Sequence, residues 1–132
     1  MTTELTLLAL SALLLLVLII IQAVAGIAAV GLGPLTGARD DLPAPKPFQA
    51  RTKRVVDNHR EGLTVFAPLI LIAAVAHVTN SWTILGAQLF FYSRVAHAVV
   101  YLLGLPIVRP LIYGVGVAGT VMVLMSLFGL AR

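Results

Sequence analysis

From Leu5 to Val30 the chain carries no ionisable side chain. At 1.5 Å per residue, a helix of that length covers the roughly 30 Å hydrocarbon core of a bilayer. A chain of 132 residues cannot form a soluble core that would surround such a rod on every side. Met1-Thr2-Thr3-Glu4 ahead of the run has no basic residue, and the run is longer than a signal-peptide core, so a retained membrane helix is expected. Composition agrees: 60% of residues are hydrophobic and 11% charged, against about 25% charged in soluble domains. The net charge of +4 does not point to nucleic acid, because Lys and Arg gather near the ends of apolar runs. Cysteine is absent, which removes disulfides and thiolate metal sites. Any thiol chemistry must therefore use a sulfur brought in by a substrate.

The rest of the chain divides into three further apolar helices. Gly31 to Pro47 forms the one long loop, with Pro34, Pro43, Pro45 and Pro47 breaking helix and Arg39, Asp40, Asp41 and Lys46 keeping it wet. A second helix is expected from Phe48 or Gln49 to about Val78, a third from about Trp82 to Leu103, and a fourth from about Ile107 to Leu130. The expected fold is an all-α membrane protein, with residues 1–132 forming a single domain of four transmembrane helices. Basic residues crowd the first loop and recur at Arg109, whereas the loop between the second and third helices has none. That bias puts both basic loops in the cytoplasm and the termini on the other side, with Arg132 arguing the other way. Small residues at Ala25, Ala29 and Gly33, and at Gly114 and Ala118, have a spacing that lets helices approach closely in lipid, within one bundle or between subunits.

Charge enters the second helix at Arg51-Thr52-Lys53-Arg54-Val55-Val56-Asp57-Asn58-His59-Arg60-Glu61. Ionisable groups inside a membrane cost about 3 kcal/mol each on insertion scales, so they usually face a protein interior and act there. At 100° per residue, Arg51, Arg54, Asn58 and Glu61 share one face of the second helix, and Arg94, His97 and Tyr101 share one face of the third. Arg109 and Tyr113, one turn apart, open the fourth helix at the same cytoplasmic level. One polar site can collect Arg, Asn, Glu, His and Tyr from three helices. Such a set suits a small, multiply charged, peptide-like molecule: Arg forks pair with carboxylates, Asn donates and accepts, Glu receives an ammonium and Tyr donates from an apolar ring. A cationic site also favours a thiolate over its thiol.

Arg54-x-x-x-Asn58-x-x-Glu61, then Phe66-Ala67-Pro68, then Phe90-Phe91-Tyr92-Ser93-Arg94-Val95-Ala96-His97-Ala98-Val99-Val100-Tyr101-Leu102, then Arg109 with Tyr113, resembles the membrane-associated proteins in eicosanoid and glutathione metabolism, the MAPEG family, in a bacterial-type form. The resemblance implies a homotrimer of four-helix subunits in a bilayer, the bacterial inner membrane for such a member. It also implies glutathione held near the cytoplasmic face between subunits, with glutathione transferase, peroxidase or isomerase activity. Carried over position by position, Arg54, Asn58, Glu61, His97, Tyr101 and Tyr113 match residues that hold glutathione, Arg94 matches a basic position with a binding or structural part, and Arg109 matches the arginine credited with stabilising the thiolate. The expected activity is conjugation or reduction of lipophilic electrophiles, with glutathione as co-substrate and neither metal nor haem. Asp57 stands where some members carry an arginine, and Pro110 where the prostaglandin E synthase branch carries a serine, which disfavours prostaglandin synthesis.

Other readings of the same residues stay open. Asn58 and Glu61 suit a clamp between helices, with Arg94 as the buried partner of Glu61, as well as they suit a ligand. Arg51, Lys53 and Arg60 suit interfacial anchors, as do Trp82 and, without the resemblance, Arg109. A bis-histidine haem site is disfavoured because His77 and His97 lie roughly 20 Å apart in depth. A proton-coupled exporter is disfavoured because the first helix has no carboxylate at mid-depth. A catalytically idle family member with a structural or ligand-binding role is the remaining alternative.

Overall fold

The computed structural model describes Met1 to Ala131; Arg132, whose charge argued against the expected orientation, lies outside the described residues. Helix α1 (Thr3–Val30) is capped by Thr2, whose hydroxyl accepts from Leu5 N at 3.3 Å, and ends at Gly31, where φ is 82°. The loop expected after it contains a short helix, α2 (Leu32–Thr36). Pro34 does not break this turn because it sits in the first turn, where a helix has no carbonyl for its N–H. Helix α3 (Pro47–Val75) opens on a proline, whose fixed φ suits a first helical position, and stops three residues short of Val78. His77 takes the left-handed conformation (φ 55°), and Asn80 then caps α4 (Ser81–Leu102) by accepting from Trp82 N and Thr83 N. Gly104, at φ 76°, turns the chain out of α4. Residues 105–108 stay outside helix, so α5 (Arg109–Leu127) begins two residues later than Ile107.

Helix α1 lies against α3 and α4, and α4 runs along α5 in the most extensive contact of the fold. At that contact a Cβ on Gly86 would come within 2.6 Å of the Gly119 carbonyl oxygen, so only glycine fits there. The residues that let helices meet are therefore Gly86, Gly116 and Gly119. Gly33 and Gly114, at two of the positions whose spacing suggested close approach, face open space, and Ala118 is exposed. The core is built on Phe66 and Phe90, whose rings stack at 3.8 Å with 8° between planes, surrounded by Leu7, Ile70, Ala87 and Val123. A second cluster joins Leu18, Val55, Val56 and Ala98. Buried His59 ties α3 to α1, its Nε2 donating to the Ser11 carbonyl at 2.9 Å.

Two helices, α1 (mean hydropathy 3.0) and α5 (1.8), are long and apolar enough to cross a membrane. Helices α3 and α4 do not meet that measure; α3 carries Arg51, Lys53, Arg54, Asp57, Arg60 and Glu61 in its first half, and Arg94 lies within α4. Leu13, Leu16, Ile20 and Val24 of α1 and Leu111 of α5 point outward, an apolar coat that suits lipid better than water.

Candidate functional site

The second halves of α4 and the start of α5 form two sides of a cavity of about 320 Å³, and α3 supplies the third. Asn58, His97, Tyr101, Arg109 and Tyr113 line it, walled by Pro106 and Pro110. Pro106 comes from the connection after α4 and Pro110 is the second residue of α5, so the break in helix that separates α4 from α5 shapes the rim.

Arg109 is the first residue of α5, and no side chain caps that helix. A cation at a helix N-terminus opposes the macrodipole, so its charge is not there to stabilise the helix. Its guanidinium instead lies over the Tyr101 ring, with Cζ 4.6 Å from the centroid. The Tyr101 ring is in turn 5.4 Å from the buried His97 ring, and Tyr113 is 6.3 Å from it on the other side of the site. The uncapped α5 terminus and the Arg109 guanidinium both favour an anion at this rim.

Arg94 lies behind the cavity wall. It is 3% exposed, its Nη1 donates to Asn58 Oδ1 at 3.0 Å, and its Cζ lies 4.8 Å from the Tyr113 ring and 5.2 Å from the Phe90 ring. Two glycines make room for it: a Cβ at Gly62 would meet Arg94 Cζ at 3.2 Å, and one at Gly116 would meet Ser93 Oγ at 2.5 Å and Arg94 Nη2 at 3.2 Å. Arg94 thus fixes the Asn58 amide and backs the Tyr113 ring. Neither glycine was singled out in the sequence; their only signal is one glycine each on α3 and α5 at the level of Arg94.

Glu61 is not the partner of Arg94. Among the described residues the ion pairs are Lys53 with Asp57 and Arg60 with Asp57, both on the surface of α3. Asp57 takes both cations because they stand four residues before and three after it on one helix face. Glu61 is exposed and lines a separate groove of about 380 Å³ together with Arg94 and Tyr113, whose other walls are apolar apart from Thr120: Val65, Leu69, Val117 and Leu124 among them. Tyr113 therefore stands between a polar cavity and an apolar groove.

Arg54 does not reach the cavity either. It is exposed and lines a hollow of about 800 Å³ between α1, the first loop and α3, with Arg39 and Lys53. Arg51, on the same face in the helical projection, places its Nη1 where a Cβ on Gly104 would stand and so joins the start of α3 to the end of α4. The structure thus gathers Asn58, His97, Tyr101, Arg109 and Tyr113 into one cavity, keeps Arg94 as their support, sets Glu61 in the adjoining groove and leaves Arg54 on another face of the subunit.

A family model, that of the MAPEG family, matches residues 5–129. No curated protein and no solved structure matches the chain.

Proposed function

Since the chain belongs to the MAPEG family, we propose that it is a membrane-bound glutathione transferase or peroxidase that conjugates or reduces lipophilic electrophiles. In this reading all four long helices cross the bilayer, three subunits assemble, and glutathione binds at the cytoplasmic level. The observation that carries the reading is the cavity in which Arg109, stacked on Tyr101, meets Asn58, His97 and Tyr113 beside an apolar groove that shares Tyr113. The cationic rim would hold the sulfur as thiolate, which is the attacking species. The groove would admit the electrophile laterally from lipid.

Within this scheme Arg109 stabilises the thiolate, Tyr101 and Tyr113 shape the pocket, and Asn58 and His97 bind the tripeptide. Glu61, in the adjoining groove, is set to take the ammonium. Arg54 sits on a face turned away from this cavity, so it contributes only if the cofactor lies between subunits, which is the family's arrangement. The outward-facing Gly114 and Ala118 are compatible with such an interface, since small residues let neighbouring helices approach.

Isothermal titration of detergent-purified protein with glutathione tests the reading, paired with turnover of a reactive aromatic electrophile. Saturable binding with turnover is expected. Binding without turnover would instead favour the idle family member, a reading that draws on Asp57, which replaces an arginine of some relatives and is neutralised by Lys53 and Arg60.

A further inference from the structure

The hollow of about 800 Å³ between the last third of α1, the first loop and the start of α3 shares no residue with the cavity at Arg109. Its volume is that of a small-molecule site. One wall is apolar and runs along α1 from Ile19 through Ala23 and Gly26 to Ile27, about 12 Å of helix axis. Ile19 and Ile27 are also exposed on the surface of α1, so the hollow opens onto the apolar coat that suits lipid.

The other end carries charge of one sign. Arg39, Lys53 and Arg54 line it, and no Asp or Glu does. Lys53 is paired with Asp57, whereas Arg39 and Arg54 make no ion pair among the described residues. Asp40 and Asp41 follow Arg39 in the chain, yet neither lines the hollow. Arg39 is held in place: its backbone takes φ 66°, a left-handed conformation uncommon for Arg, and its Nε donates to the Leu35 carbonyl in α2 at 2.7 Å. That bond leaves the outer edge of the guanidinium, Nη1 and Nη2, for an anion. Gln22 and Gln49 add amide groups to the wall.

Uncompensated guanidinium groups above an apolar channel match an anion that carries a hydrocarbon tail. Arg pairs with phosphate through two parallel hydrogen bonds, and basic pockets between membrane helices on the cytoplasmic side take anionic lipid head groups. A soluble anion would leave the apolar wall unused, and a zwitterionic lipid would bring its own ammonium against the cations. We infer that this hollow binds an anionic phospholipid, with the phosphate at the Arg39 and Arg54 end and an acyl chain along Ile19, Ala23 and Ile27. The lipid joins α1, the first loop and α3 within one subunit. None of the residues in the glutathione cavity takes part, so the site does not depend on the proposed activity.

The test is titration of the detergent-purified full chain with phosphatidylglycerol and with phosphatidylcholine of the same acyl chains, bound lipid being counted by native mass spectrometry. Phosphatidylglycerol is expected to bind more tightly, by about fivefold for each cation that meets the phosphate. Arg39→Asn, which keeps a residue type at home in the left-handed region, and Arg54→Gln are each expected to remove about fivefold of that preference. Ala23→Leu leaves the charges in place, narrows the apolar wall and is expected to weaken phosphatidylglycerol binding. Equal binding of the two lipids overturns the site, as does a preference that survives in both arginine variants. Binding that is unchanged in Ala23→Leu, or that glycerol 3-phosphate displaces at the lipid's own concentration, also overturns it, by assigning the cations to a soluble anion. No step uses glutathione, so failure here is distinct from failure of the proposed activity.

Discussion

Arg94 Nη1 donates to Asn58 Oδ1 across 3.0 Å, a bond between α4 and α3 that joins residues 36 apart in sequence. It gives a guanidinium that is 3% exposed a side-chain acceptor, while Nε of the same residue has none among the described residues. Truncating Asn58 to Ala removes that acceptor from a buried charge. A loss of stability of about 1–3 kcal/mol is expected, the usual cost of an orphaned buried donor. Asn58→Asp, which restores an acceptor, is expected to melt well above Asn58→Ala in thermal unfolding. Equal melting of Asn58→Ala and the parent would show that Arg94 does not depend on this bond.

The α4–α5 contact rests on Gly86 and Gly119. A Cβ at Gly119 would collide with the Gly86 carbonyl oxygen and stand 2.9 Å from Phe90 N, both backbone atoms that cannot rotate away. Gly119→Ala is therefore expected to lower the melting temperature markedly, by the equivalent of about 1–3 kcal/mol for overpacking or more. At Gly114 nothing lies within 4 Å, and Gly114→Ala is expected to be neutral or to gain up to about 1 kcal/mol from helix propensity. If subunits meet at Gly114, the change will appear in the assembly state by light scattering and not in packing within the subunit.

Glu61 separates two roles. It makes no ion pair with Arg94, so Glu61→Gln has no buried bridge to break, and its melting temperature is expected to match the parent's. If Glu61 takes the ammonium of glutathione, the same change weakens binding by about 1.5–3 kcal/mol, a roughly ten- to hundredfold rise in Kd by titration calorimetry. Unchanged affinity would remove Glu61 from the cofactor site.

Much of this arrangement can be read from residue spacing alone, and the limits are physical. Helical periodicity puts Asn58 on one face of α3 and His97 and Tyr101 on one face of α4, and the fold brings all three to one cavity. Periodicity gives direction from a helix axis but not rotation of one helix against another, so it could not say whether Asn58 or Glu61 meets Arg94; one turn decides between them. The same limit applies to Gly114 with Ala118 and Gly116 with Gly119, two small-residue pairs on α5 of which only the second touches α4. Arg54 shares the projected face with Asn58, yet it lies one turn nearer the start of α3, where α1 and the loop provide different neighbours. The buried hydrogen bond from Thr83 Oγ1 to Glu4 has no signal in the sequence, because a single acid in a first turn normally serves only the helix dipole.

The orientation proposed for the membrane rests on Lys and Arg in the first loop and Arg109 after α4, with no Lys or Arg between α3 and α4. A reporter inserted near Ala44 is expected to be cytoplasmic and one fused to the C-terminal end to be on the opposite side. The reverse pattern would put the Arg109 cavity on the outer side, away from cytoplasmic glutathione, and would end the proposed function.

The final prediction addresses the chemistry through Arg109, which stands 4.6 Å over Tyr101 at the rim of the cavity and has no stabilising role at its own helix terminus. Arg109→Ala is expected to leave most ground-state glutathione affinity, since Asn58, His97 and Glu61 remain. Without the guanidinium the thiolate loses its nearest counter-charge and the bound thiol's pKa rises. A group whose charged form is the anion becomes scarcer below that pKa by about tenfold per unit, so turnover at neutral pH should fall by roughly one to two orders of magnitude. Raising the pH repopulates the anion and should restore part of the rate in the variant while changing the parent little. Ultraviolet absorbance of the bound thiolate, titrated with pH in both proteins, measures the shift directly. Superimposable titrations with equal rates would reduce Arg109 to an interfacial anchor and move the search for the thiolate's partner elsewhere on the subunit.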